Sequence, residues 1–169
     1  LSGVGDIYRS DIFLAKSTYG GLTWSTQRIN NDTTTRNQVV PTVAVDPTSG
    51  WVYVSYLDAR LNKDFDDDTL HYYLAWSSDG GQTFQTTRVS QQASTLPNIH
   101  SDYMGMDAYN GKVHLFWGGG TFNLQMWTAC VTQNTLSVFQ PVSDAPPSVI
   151  FYPAFPNPAI DFTTFDFQL

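Results

Sequence analysis

Along most of the chain, apolar and polar residues alternate in short runs that end at Gly, Asp, Asn or Ser clusters. The clearest runs are "VVPTVAV" (39–45), "GWVYVSYL" (50–57), "TLHYYLAW" (69–76) and "TFQTTRVS" (83–90). Val, Thr, Tyr, Phe and Trp dominate them, which predicts strands, because branched and aromatic side chains pack well on a pleated surface. The turns "DPTSG" and "SSDGGQ" close the first and last pair as hairpins, with Gly available where φ is positive. No window sustains a helical period, and no apolar run is long enough to cross a membrane.

This pattern repeats. Residues 11–30, "DIFLAKSTYGGLTWSTQRIN", align with residues 71–90, "HYYLAWSSDGGQTFQTTRVS", at an offset of 60. Leu14/Leu74, Ser17/Ser77, Gly21/Gly81, Thr23/Thr83 and Arg28/Arg88 coincide. A second alignment sets "AVDPTSGWVYVSY" (44–56) on "GMDAYNGKVHLFW" (105–117) at an offset of 61, matching Asp46 to Asp107, Gly50 to Gly111 and Val52 to Val113. Two offsets this close indicate a structural repeat.

Each period reads as four antiparallel strands, which is the blade of a β-propeller. The expected fold is therefore all-β, a partial propeller of about two and a half blades. A partial blade covers about 6–30, a complete one 39–90 and a third about 98–143, within a propeller region 1–143. In the third blade the turn motif is reduced to "TQNTLSVF". A small β-sandwich is the alternative. Because a propeller closes only with roughly four to eight blades, the chain reads as part of a longer protein. The opening "LSGVGDIYRS" fits this, having neither an initiator Met nor a signal-peptide layout.

Composition sharpens the picture. All fifteen acidic residues are Asp, which suits a protein rich in turns, and the net charge is −7. No basic stripe exists to neutralise phosphates, which excludes a nucleic-acid partner. Cys130 has no internal disulfide partner and reads as a small buried hydrophobe. "DFDDD" (64–68) clusters oxygens as a calcium loop would, but it lacks the glycine and terminal Glu of an EF-hand. No helix follows "GGGTFN" (118–123) to bind phosphate, so no metal or cofactor is expected.

"STYGGLTW" (17–24) and "SSDGGQTF" (77–84) resemble the Asp-box, the bacterial neuraminidase repeat of pattern S-x-D-x-G-x-T-W. The second keeps Ser77, Asp79, Gly81 and Thr83, with Phe84 for Trp; the first keeps Ser17, Gly21, Thr23 and Trp24, with Tyr19 for Asp. The resemblance implies a sialidase-like propeller in which the boxes brace the fold and the opposite rim carries the substrate site. On that rim fall "GVGDIYRS" (3–10), "NNDTTTRNQ" (30–38), "DARLNKDFDDD" (58–68), "QQASTLPNIHSDY" (91–103) and "GGGTFN". Asp58, Arg60, Asp102 and Tyr103 are the candidate catalytic residues, and Arg9, Arg36 and His100 the candidate substrate contacts. Guanidinium forks grip carboxylates bidentately, as sialidases require. The alternative is that Asp58–Arg60 ties down its own loop while Tyr103 packs near the central tunnel. Retaining sialidases pair a Tyr nucleophile with Glu, and the sequence contains no Glu. A complete catalytic set would need residues from other blades.

After a linker (144–150), "FYPAFPNPAIDFTTFDFQL" (151–169) resembles the truncated start of the C-terminal sorting domain read by the type IX secretion system of Bacteroidota. An Ig-like appended strand has the same local pattern. Either implies an extracellular or surface location, with an extracellular glycan or glycoprotein and the secretion machinery as partners. The expected function is exo-sialidase-type glycoside hydrolysis or, alternatively, noncatalytic adhesion or glycan binding.

Overall fold

The computed structural model describes residues 10–62, 69–95, 104–121 and 124–138. Arg9, the acidic run 64–68, His100, Asp102, Tyr103, the linker 144–150 and the segment 151–169 lie outside the described residues.

The described residues are predominantly β, in three antiparallel sheets. The first pairs β1 (Phe13–Lys16) with β2 (Ser25–Arg28). The second runs in the order β3 (Gln38–Val45), β4 (Val52–Asp58), β5 (Thr69–Ser77), β6 (Gln85–Arg88), and β7 (Ser94–Thr95) joins the start of β5. The third holds β8 (Gly105–Tyr109), β9 (Lys112–Gly119) and β10 (Gln125–Thr132), followed by helix α1 (Gln133–Val138).

The middle sheet is covered on both faces, which explains why β4 and β5 read as nearly continuous apolar runs. Tyr53, Leu57, Tyr72, Leu74 and Trp76 project from one face and pack with Val113, Leu115, Trp117, Ala129 and Val131 of the third sheet. Val54, Tyr56, Tyr73 and Ala75 project from the other and pack with Ile12 and Ile29 beside the first sheet. The Tyr72 and Trp117 rings stack at 4.6 Å, anchoring the larger core. Truncating a side chain as buried as Leu74 would cost about 2–5 kcal/mol.

Sheets one and two obey the 60-residue repeat atom by atom. Phe13 pairs with Arg28 and Tyr73 with Arg88. The amide of Ile29 donates to Ile12 O at 2.8 Å, and that of Val89 to Tyr72 O at 2.7 Å. Asn30 Oδ1 accepts from the Ile12 amide at 2.8 Å, as Ser90 Oγ does from Tyr72 at 2.9 Å.

The second alignment needs correcting. Val45 pairs with Val52, but Ala108 pairs with Val113, so the first strand of the third sheet is shifted by two residues. The cause is turn length. Asn110 (φ 50°) and Gly111 (φ 76°) make a two-residue hairpin, whereas the second sheet uses the four-residue loop 47–50, closed by the Asp46 amide on Trp51 O. Asp107 is therefore not the counterpart of Asp46. Asp46 is fully buried and reaches across sheets, accepting from the Gly111 amide at 2.7 Å and from Gln133 Nε2 at 3.2 Å. Burial opposes its ionisation, yet hydrogen bonds from Thr48, Gly111 and Ser49 hold the carboxyl well below the usual range. "TQNTLSVF" is also not a reduced strand turn. It forms α1, which places Gln133 on the second sheet's hairpin and buries Leu136.

Cys130 is half-buried rather than buried, its Sγ 3.8 Å from His114 Nε2. His114 is exposed, whereas His71 is half-buried with Nδ1 3.3 Å from Ser90 Oγ.

Candidate functional site

Asp58 ends β4, and its position depends on a bulge in β3. Between Val39 and Thr42 the register gains one residue, with Val40 at φ 56° and Pro41 following. Pro can occupy a bulge on an edge strand because no ladder bond is demanded there. Beyond the bulge Gln38 lies opposite Asp58, and its Nε2 donates to Asp58 Oδ1 at 3.2 Å.

Arg60 closes back onto the same carboxylate. Its amide donates to Oδ1 at 2.7 Å, its Nε to Oδ2 at 2.8 Å, and its Nη2 lies 2.7 Å from Oδ2. Nη1 donates to Asn31 Oδ1 at 2.9 Å and Nη2 to Tyr56 Oη at 3.3 Å, while Cζ sits 4.4 Å over the Tyr73 ring. The guanidinium is thus sandwiched between a carboxylate, a loop amide and two stacked tyrosines. The side chains of Arg60 and Asp58 are only 12% and 0% exposed.

A chain of polar contacts continues to the first sheet. Gln38 Oε1 accepts from Asn30 Nδ2 at 2.9 Å, and that nitrogen lies 2.7 Å from both Asp11 Oδ1 and Asp32 Oδ1. Arg28 Nε reaches Asp11 Oδ1 at 2.9 Å. Burial pushes the Asp58 carboxyl up, with its bonds to Arg60 pulling the other way. Burial also disfavours the Arg60 charge, but the bonds and charge of Asp58 reverse this and raise its pKa. Burial pushes the Tyr56 phenol up as well.

Among the sequence candidates, Asp58 and Arg60 meet directly. Arg36 occupies the neighbouring loop, its amide donating to Thr34 Oγ1 at 3.3 Å. Gln38, Asn30, Asn31, Tyr56 and Tyr73 join the site without having been singled out. The "VVP" within β3 is the one signal that could have flagged Gln38, since Pro after a branched pair suggests a bulge.

The two Asp-box-like turns lie at the other ends of these strands. Ser77 Oγ donates to Asp79 Oδ1 at 2.7 Å and accepts from the Gly81 amide at 2.8 Å. Asp79 collects the amides of Gln82 and Thr83, each at 2.9 Å, and the Thr83 hydroxyl at 2.6 Å. With Tyr19 in place of Asp, the first box keeps the Ser17–Gly21 bond at 2.8 Å and turns the Leu22 amide to Tyr19 O at 3.0 Å. Trp24 Nε1 donates to Gly21 O at 2.9 Å. Lys16 Nζ joins the boxes, donating to Gly80 O at 3.1 Å.

Among the described residues, no group of three or more His, Cys, Asp or Glu is arranged to hold a metal. No helix among them is long and apolar enough to cross a membrane. No family model matches the chain, and no curated protein matches it.

Proposed function

We propose that this chain supplies blades to a sialidase-like, Asp-box β-propeller that acts outside the cell by binding glycans without hydrolysing them at Asp58 and Arg60. The observation that carries the noncatalytic reading is the closed Asp58–Arg60 pair. Both groups that chemistry would use are bonded to each other and to Gln38, Asn31 and Tyr56. A substrate carboxylate would first have to break an ion pair held in low dielectric, which costs several kcal/mol.

The stacking of three sheets in chain order supports the propeller arrangement. So does the exposed side of the first sheet. Phe13 and Trp24, 62% and 63% exposed, are the repeat counterparts of Tyr73 and Phe84, which pack toward the preceding sheet. A further sheet of the same design fits that face. On this reading the boxes brace the fold, and residues 151–169 engage the export machinery.

A second reading, exo-sialidase action, is favoured by one observation: Arg60, Asp58 and the Tyr56 hydroxyl converge at one rim. Glycan-array binding and turnover of a fluorogenic sialoside, measured on the full-length protein, separate the two. Binding without turnover is expected; turnover that disappears in Arg60→Ala would establish the second reading instead.

A further inference from the structure

The repeat places Tyr56 and its cross-strand partner Tyr73 in the same positions as Trp117 and its partner Trp127. Asp58, Ala59 and Arg60 then correspond to Gly119, Gly120 and Thr121, and residues 30–34 correspond to 90–94. At the first junction the Arg60 guanidinium fills the space between the aromatic pair and the loop. At the second there is no arginine in that position. The space is instead a cavity of about 210 Å³, lined by Ser90, Gln91, Gln92, Trp117, Gly120 and Trp127 among others.

We propose that this cavity binds a single neutral sugar residue, a hexose or N-acetylhexosamine at the end of a glycan. The proposal rests on the glycan-binding reading above and gives it a site. Electrostatics selects a neutral ligand. A cation in the place of Arg60 would lack its counterion, because Gly119 stands where Asp58 does. An anionic sugar such as sialic acid would meet no cation among the described residues of the lining, on a chain of net charge −7. The replacements also favour a sugar. Trp127, in the place of the Tyr73 phenol, offers a larger π surface, whose negative face suits the C–H groups of a pyranose, while Trp117 is buried and stacks on Tyr72. Trp127 is half-buried, its Nε1 fixed at 3.2 Å on Gly119 O. Gln91 and Gln92 are exposed amides beside the cavity, the chemistry that reads hydroxyl groups. A Cβ on Gly119 would collide with the Ser94 side chain, so glycine there lets the 90–95 segment close over the strand end. The volume lies below the roughly 300–1,000 Å³ of sites for drug-sized ligands, which matches one ring rather than a chain.

The test uses the full-length chain and methyl glycosides of glucose, galactose, mannose, N-acetylglucosamine and sialic acid, followed through indole N–H signals. At least one neutral glycoside is expected to shift the Trp127 signal, and the sialoside to leave it unchanged. Thr121→Arg, which returns a guanidinium to the cavity mouth, should weaken that neutral sugar at least tenfold. Trp127→Ala should do the same, and thermal unfolding checks that each variant is folded. Absence of any neutral-sugar shift, or a Kd unchanged in folded Thr121→Arg, overturns the proposal. If glycan-array binding by the same protein also persists unaltered in Thr121→Arg, the glycan-binding reading survives and only this site is lost. If the array shows no binding at all, that reading falls as well.

Discussion

The two junctions between sheets share a backbone plan and solve it with opposite chemistry. At the first, two tyrosines, a loop amide and a buried carboxylate enclose the Arg60 guanidinium. At the second, two tryptophans and a glutamine-bearing loop leave the equivalent space open. A repeat therefore fixes where a space between sheets occurs, while individual side chains decide whether it is locked from within or left open. The locked junction also packs a smaller apolar cluster, and the open one the larger core. Polar bonding thus compensates where apolar burial is limited.

The largest effect should come from the apolar side of this contrast. Trp117→Ala removes the ring stacked on Tyr72 and should cost about 3–5 kcal/mol in urea unfolding. A cost below that of Arg60→Ala would reverse the ranking of the junctions. Arg60→Ala should cost about 3 kcal/mol, the lower end for breaking a buried pair, because it strands Asp58. Thr121→Ala, at the equivalent position, should stay within about 0.5 kcal/mol. Equal costs would show that the repeat positions are not distinguished by charge.

The two Asp-box-like turns extend the comparison to the other ends of the strands. Ser77→Ala strands the buried Gly81 amide and should cost about 1–2 kcal/mol. Ser17→Ala, in the exposed first box, should cost less than about 1 kcal/mol. The smallest effect is one of pH. Hydrogen bonds from Ser77 and Thr83 hold the Asp79 carboxyl below its ordinary value of 3.8. Its stabilisation is complete above that value and is lost as pH falls beneath it. Protection from hydrogen exchange, corrected for the intrinsic rate at each pH, should therefore fall at low pH for the Gln82 and Thr83 amides, with no matching change at Leu22 and Thr23. An equal loss of protection in both boxes would contradict the role given to Asp79.

Much of the fold was legible because burial on alternate or both faces leaves a direct trace in residue pattern. The strands β3 to β6 and the 60-residue repeat of Phe13–Arg28 on Tyr73–Arg88 follow from it. The shift at β8 did not, because an ungapped alignment cannot register a hairpin shortened by two residues. Helix α1 was hidden because six residues carry too little periodicity. The Asp58–Arg60 pair could be suspected from the "DAR" that follows a strand, but its partners Gln38 and Asn31 come from separate segments that only the bulge and sheet packing bring together. The Trp117–Trp127 cavity left no local motif. It appears only when one junction is superimposed on the other.

The central claim is that Asp58 and Arg60 form a structural lock. The most direct test replaces both with apolar residues of similar volume, Asp58→Leu with Arg60→Met, in the full-length protein. Such exchanges of a buried pair are often neutral or stabilising when the volume is preserved. The account predicts a thermal midpoint close to that of the parent and an unchanged glycan-array profile. A variant that keeps its midpoint but loses glycan recognition or sialoside turnover would contradict it.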